Sequence, residues 1–176
     1  MENCEWIYQR RSIRKFTSEP IEDQQIEALL KAGMAAPTAM NLQPWLFVVV
    51  KDETRLAKIR STLVFGKMNA PCAISVCGNL QKSRNRVERF WVQDCSAATE
   101  NMLLAATSLG LGAVWCGVHP IHFYVPKIAS ILELPEGIVP LNVIFIGNPA
   151  ETKPARTQYD ARKVFLDCYG QPWEQS

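Results

Sequence analysis

A sheet with helices covering its faces, of the α+β or α/β class, is what this 176-residue sequence predicts, on three observations. Three apolar, β-branched runs, WLFVVV at 45–50, AISVC at 73–77 and NVIFIG at 142–147, are short enough to be strands and lack an alternating polar face, as in strands buried on both sides. IEDQQIEALLKAG at 21–33 puts Ile26, Leu29, Leu30 and Gly33 on one helical face. A longer helical segment, Glu88 to Leu109, carries Trp91, Cys95, Ala98, Met102, Ala105 and Leu109 at the alternating four-and-three spacing of a packing seam. Helices between such strands give layers packed about one core.

Each element has its own local signals. Ile21 and Ile26 are spaced as a hydrophobic staple across the start of the first of these helices, and Pro37 marks its end. In the long helix a second apolar set, Val92, Leu103 and Ala106, widens the stripe, with Asp94 and Glu100 the acidic interruptions. That predicts burial around most of its circumference, either as the central helix of the domain or also against a second subunit. Gly110, Gly112 and Gly117 bracket a strand-like AVWC; Gly110 suits a helix C-cap, and glycine elsewhere permits close backbone approach.

Composition restricts the function classes. One domain spanning 1–176 is expected from the length. Nineteen basic and seventeen acidic residues leave a net charge of +2, which provides no chain-wide field for nucleic acid or an anionic membrane. The start, MENCEWIYQRR, lacks the features of an export signal, and the apolar runs fall short of a membrane helix. A cytoplasmic protein is therefore expected. Six cysteines with no CxxC pair argue against a zinc site, and His119 and His122 lack further ligands at metal-binding spacing. Most of the cysteines are expected to be buried small hydrophobes.

Three segments hold residues suited to chemistry. RRSIRKF at 10–16, if extended, turns Arg10, Ser12 and Arg14 to one side and Arg11, Ile13 and Lys15 to the other. Guanidinium forks and a hydroxyl on one side match phosphate oxygens, while a solvated basic face is the alternative. APTAMNLQPW at 36–45 is a loop between helix and strand whose Thr38, Asn41 and Gln43 offer donors and acceptors for a heteroaromatic edge, with Pro37 and Pro44 stiffening it. A polar turn is the alternative there. SLGLGAVWCGVHP at 108–120 follows a helix and is not the dinucleotide GxGxxG fingerprint.

In this order and at these distances, the three segments, with GNPAETKPAR at 147–156 after the last strand, resemble the nitroreductase family of FMN-dependent flavoproteins over about residues 6–162. The resemblance implies a central mixed, mainly antiparallel sheet flanked by helices, in an intertwined homodimer with sites at the subunit interface. It implies FMN phosphate and ribityl binding at Arg10, Arg11, Ser12 and Arg14. Pro37, Thr38, Asn41 and Gln43 would face the flavin held mainly by the other subunit. Gly117 and the amide of Val118 would face the flavin N5, and Arg156, with Lys153 a weaker match, would join the phosphate site. NADH or NADPH would reduce the flavin, which would pass electrons to a small oxidised acceptor such as a nitroaromatic or quinone, in a ping-pong cycle.

The sequence departs from the family pattern at Thr38, where serine is usual, at Met40, where a small residue is usual, and at Val118, where glycine is frequent. Cys116 falls beside the implied flavin position. QKSRNRVER at 81–89 is a second basic stretch, read as a solvated loop or a contact for the NADPH phosphate. Phe165, Tyr169 and Trp173 give the C-terminal stretch aromatic anchors for its own chain or a partner's. Other flavin reactions on the same fold (reductive dehalogenation, dehydrogenation), a non-catalytic FMN or redox-sensing module, and an interaction domain using the arginine cluster are the rival readings.

Overall fold

A computed structural model of the chain describes residues 4–82 and 87–173. Its framework is a four-stranded antiparallel sheet of β1 (Trp45–Val50), β2 (Cys72–Asn79), β3 (Gly112–Gly117) and β4 (Ile138–Gly147), in the order β1-β2-β4-β3. The helices are α1 (Glu5–Gln9), α2 (Asp23–Met34), α3 (Glu53–Thr62), α4 (Val87–Ser108) and α5 (Tyr124–Ile131). The segment containing Ser12 adds a short parallel bridge to the outer edge of β3, at Ala113, so the sheet is mixed at that edge and antiparallel elsewhere.

Period-two alternation divides the central strands between two cores. Ile74 and Val76 of β2 and Ile144 and Ile146 of β4 pack with α2 and α4. Ala73 of β2 and Val143 and Phe145 of β4 pack with the α3 and α5 side, where Leu56, Ile59 and Ile128 are fully buried. The expectation of strands covered on both faces holds for β2 and β4. β1 differs: it is an edge strand, and Leu46 and Val49 are exposed, because β2 protects it on one side only.

The helix boundaries follow from capping. Glu22 caps α2 through a capping box, with its own amide donating to Gln25 Oε1 at 3.1 Å. Ile21 and Ile26, at the staple positions, are both buried in the same core. Asp52 caps α3 by accepting from the Arg55 amide at 2.8 Å. α4 ends two residues before Gly110, which takes φ +74 and lets the Leu111 amide return to Ala106 O at 2.8 Å.

α4 buries Trp91, Cys95, Ala98 and Met102 of the anticipated seam. Glycines admit its bulk: a Cβ at Gly78 would stand 2.4 Å from the Trp91 ring, and one at Gly33 would stand 3.0 Å from Met102. Within one chain the helix is not buried around most of its circumference, since Glu100 and Ser108 are exposed and Ala97, Asn101, Leu104 and Ala105 are half-covered. Leu109 lies past the helix end and is exposed. Trp6, Ala32, Ala35, Asn101, Leu104 and Ala105 line an open groove of about 360 Å³ beside this outer face.

Candidate active site at the β3 edge

The RRSIRKF segment is tied along the β3 edge by backbone and apolar anchors. Ile13 N donates to Ala113 O at 3.0 Å, and Ala150 N donates to Lys15 O at 2.9 Å. Ile13 and Phe16 are buried on the α3 and α5 side. Gly112 makes room for Ile13, since a Cβ there would approach its Cγ2 to 2.7 Å, and Gly147 does the same for Phe16. Asn69 fastens the end of the segment with both halves of its amide: Nδ2 donates to Phe16 O at 2.6 Å, and Oδ1 accepts from Phe16 N at 3.2 Å.

The charged side chains divide among several partners. Arg14 lines a cleft of about 320 Å³ together with Phe65, Cys116, Gly117, Ile121 and Tyr124. Arg10 pairs with Glu100 of α4 at 3.4 Å, and Arg11 Nη1 donates to Pro154 O. The Ser12 carbonyl accepts from Lys153 Nζ at 2.5 Å and from Arg14 Nη1 at 3.4 Å. Glu151 is the hub: its Oε1 accepts from Arg14 N at 2.6 Å and from Lys15 N at 3.3 Å and pairs with Lys153 at 3.1 Å. These donors, the Arg14 amide first, hold the Glu151 carboxyl below the ordinary carboxylate range.

Of the two basic residues in GNPAETKPAR, Lys153 reaches this cluster, whereas Arg156 has an exposed side chain and is fixed by its amide to Tyr8 O at 3.1 Å. Sequence reasoning passed over Glu151 and Asn69. Glu151 stands inside a run read for its cations, and Asn69 in a loop without a motif.

At the far end of β3 the two expected backbone contacts separate. A Cβ at Gly117 would meet nothing within 4 Å, so the backbone there borders open space. The Val118 amide is not available to a ligand: Val118 is fully buried and donates to Leu141 O at 3.0 Å. The correction has a plain cause, because pairing to β4 continues one residue past Gly117 and a buried N–H must be satisfied. Burial pushes the Cys116 thiol up to about 11, an effect Arg14 moderates. Cys116 Sγ faces Phe65 O at 3.7 Å, so it is a protonated wall group at neutral pH.

The loop with Pro37, Thr38, Asn41 and Gln43 lies elsewhere. It leads from α2 into β1, the edge opposite β3, so three strand spacings, about 14 Å, separate the two edges. Gln43 N donates to Thr38 Oγ1 at 3.2 Å and Gln43 Nε2 to Asn41 Oδ1 at 3.0 Å. Asn41, Gln43 and Met40 are exposed. The structure thus joins Arg14, Lys153, Cys116 and Gly117 along one edge and leaves the polar loop on the other. Most of the basic stretch at 81–89 lies outside the described residues or their side chains. Among the described residues no three His, Cys, Asp or Glu groups form a metal-binding cluster, and no helix is long and apolar enough to cross a membrane.

The profile of the family described as "Nitroreductase family" matches residues 7–65 and 62–148. The chain belongs to the nitroreductase family. A relative from Archaeoglobus fulgidus named "Putative NADH dehydrogenase/NAD(P)H nitroreductase" is 47% identical over 156 residues, covering 87% of this chain and 89% of the relative. The crystal structure of a protein of that name from Parabacteroides distasonis superposes with a TM-score of 0.90 at 38% identity, covering 96% of this chain and 99% of that one. A "putative nitroreductase in complex with fmn" from Desulfovibrio desulfuricans superposes with a TM-score of 0.80 at 30% identity, covering 96% and 99%. The nitroreductase fold is therefore that of this α+β chain.

Proposed function

We propose that this nitroreductase-family chain is an FMN-dependent oxidoreductase that uses NADH or NADPH to reduce a small oxidised acceptor of the nitroaromatic or quinone class. The observation that carries the proposal is the β3-edge cleft, with Arg14 on its wall and the backbone of Gly117 bordering open space. Gly117 needs neither positive φ nor room for a neighbouring side chain, so its own fold does not call for glycine. A flat ring lying against the strand does.

The residues fit FMN. Arg14 and Lys153 supply cations, Arg10 and Arg11 further guanidiniums, and Ser12 a hydroxyl, at one edge of the sheet. Glu151 holds the Arg14 and Lys15 amides and so keeps the segment in place. When bound, FMN supplies the two-electron redox chemistry, with NAD(P)H and the acceptor reacting in turn in a ping-pong cycle. The chain's own residues would bind and orient: Arg14 lines the cleft as a cation, Cys116 and Tyr124 wall it, and Phe65 and Ile121 at its rim limit water. No protein acid or base is assigned. Arg156, whose side chain is exposed, is a further cation for the phosphate site.

The proposed assembly is a homodimer. The polar loop at 37–43 lies too far from the chain's own cleft to serve it, but a second copy can present it. The half-covered outer face of α4, the groove beside it and the exposed Phe165, Tyr169 and Trp173 supply apolar surface for such a partner. Steady-state NADH and NADPH oxidation against nitro, quinone and halogenated acceptors tests the reading. Turnover with nitro or quinone acceptors is expected, and absence of NAD(P)H oxidation with every acceptor would overturn it.

A further inference from the structure

Asp94 lies in α4 near Trp91, Cys95 and Ala98, and it is the only buried carboxylate among the described residues, 5% exposed. A carboxylate in such surroundings must be paired or strongly hydrogen-bonded. Its Oδ1 accepts from the Ala39 amide at 2.9 Å. Ala39 opens the turn of the polar loop, and the residues that follow take an uncommon backbone: Met40 has φ 52, Asn41 φ 53 and Gln43 φ 48. Three left-handed non-glycine residues among four persist only when their surroundings over-determine them. Bonds within the turn do part of this, Gln43 N to Thr38 Oγ1, Asn41 N to Thr38 O and Gln43 Nε2 to Asn41 Oδ1, and Asp94 adds the bond at the entrance from a different element, accepting from the Ala39 amide.

We propose that Asp94 is a positioning residue for the active site: it holds the Ala39 amide and thereby fixes Asn41 and Gln43 in the orientation they present to the flavin cleft of a second copy. The inference rests on the FMN-site reading above and adds to it a residue outside the three binding segments. What matters is the acceptor oxygen, because the partner is a neutral backbone amide. Asparagine therefore replaces aspartate adequately, and leucine does not. Proline at position 39 deletes the same bond from the other end, and the extended backbone at Thr38 (φ −135, ψ 152) is compatible with a following proline.

The test uses the full-length protein in three variants, Asp94→Asn, Asp94→Leu and Ala39→Pro. FMN dissociation constants are measured by quenching of flavin fluorescence, amide exchange is followed in peptides spanning 37–44, and apoprotein melting is recorded. Asp94→Asn should keep its FMN dissociation constant within about 3-fold of the parent, whereas Asp94→Leu and Ala39→Pro should weaken binding about 10-fold and speed exchange in the loop. Equal FMN affinity in all three variants, with melting alone altered, would overturn the proposal. So would an Asp94→Asn defect as large as that of Asp94→Leu, since charge would then be what matters. If Asp94→Leu does not fold, Ala39→Pro decides. A parent protein that binds no FMN would instead overturn the flavin reading, and loop exchange would still report whether Asp94 holds the loop.

Discussion

Arg14 and Lys15 carry the same charge one residue apart, yet only Arg14 lines the cleft. Arg14→Ala should raise the FMN dissociation constant about 10-fold or more, the loss expected for a charge-assisted contact, and Lys15→Ala by less than about 3-fold. Titration of the apoproteins checks this, and equal small effects would return the segment to a solvated basic face. Glu151 gives a pH dependence. Its folded value lies below the reference of 4.5, chiefly through the Arg14 amide, so the stability it contributes is present above 4.5 and is lost as pH falls through the folded value. Melting temperature should therefore decline in acid, and Glu151→Gln should lose less of it on acidification than the parent does.

Residue roles were legible in the sequence where a motif carried them. RRSIRKF announced its cations and its anchor Ile13, because charge type and strand anchoring are written in residue identity. How the charges divide was not: Arg10 goes to Glu100, Arg11 to Pro154 and Arg14 to the cleft, through partners about 90 to 140 positions away in the chain. The Val118 amide failed as an expectation for the same reason, since its partner Leu141 is set by strand pairing.

Among elements, the sequence anticipated β2, β4, α2 and the seam of α4, because hydrophobic period and caps are local signals. The exposed flank of β1 was not legible, since an edge strand and a central strand can share one composition. Packing at the crossing of α4 over the sheet is close. Gly78→Ala would set a Cβ against Trp91 and should cost about 1–3 kcal/mol in denaturant unfolding, as overpacked cores do. Leu29→Ala in α2, which removes a fully buried side chain, should cost about 2–5 kcal/mol. Thiols report on the same core: burial raises Cys72 and Cys77 to about 11 and Cys95 to about 12, from 9.0. Their neutral forms stabilise the fold fully below pH 9, and that contribution is lost as pH rises through the folded values, so unfolding free energy should drop from pH 9 up to about 12.

At the scale of the whole molecule, the cleft lined by Arg14 and the polar loop at 37–43 lie at opposite edges of the sheet, and the long helix keeps an incompletely covered outer face. A homodimer would resolve both features at once. Leu104→Asp, in the groove beside that face, should yield monomers in sedimentation and weaken FMN binding while leaving the far-UV spectrum unchanged. Monomers that retain full affinity would confine the site to one chain. The central claim is that the β3-edge cleft holds FMN in reach of a nicotinamide donor. Its most direct test is the visible spectrum of the FMN-reconstituted protein under anaerobic NADH and NADPH. A bound flavin that bleaches stoichiometrically on adding either nucleotide is the predicted result. A colourless protein that takes up no FMN, or a bound flavin that neither nucleotide reduces, would contradict it.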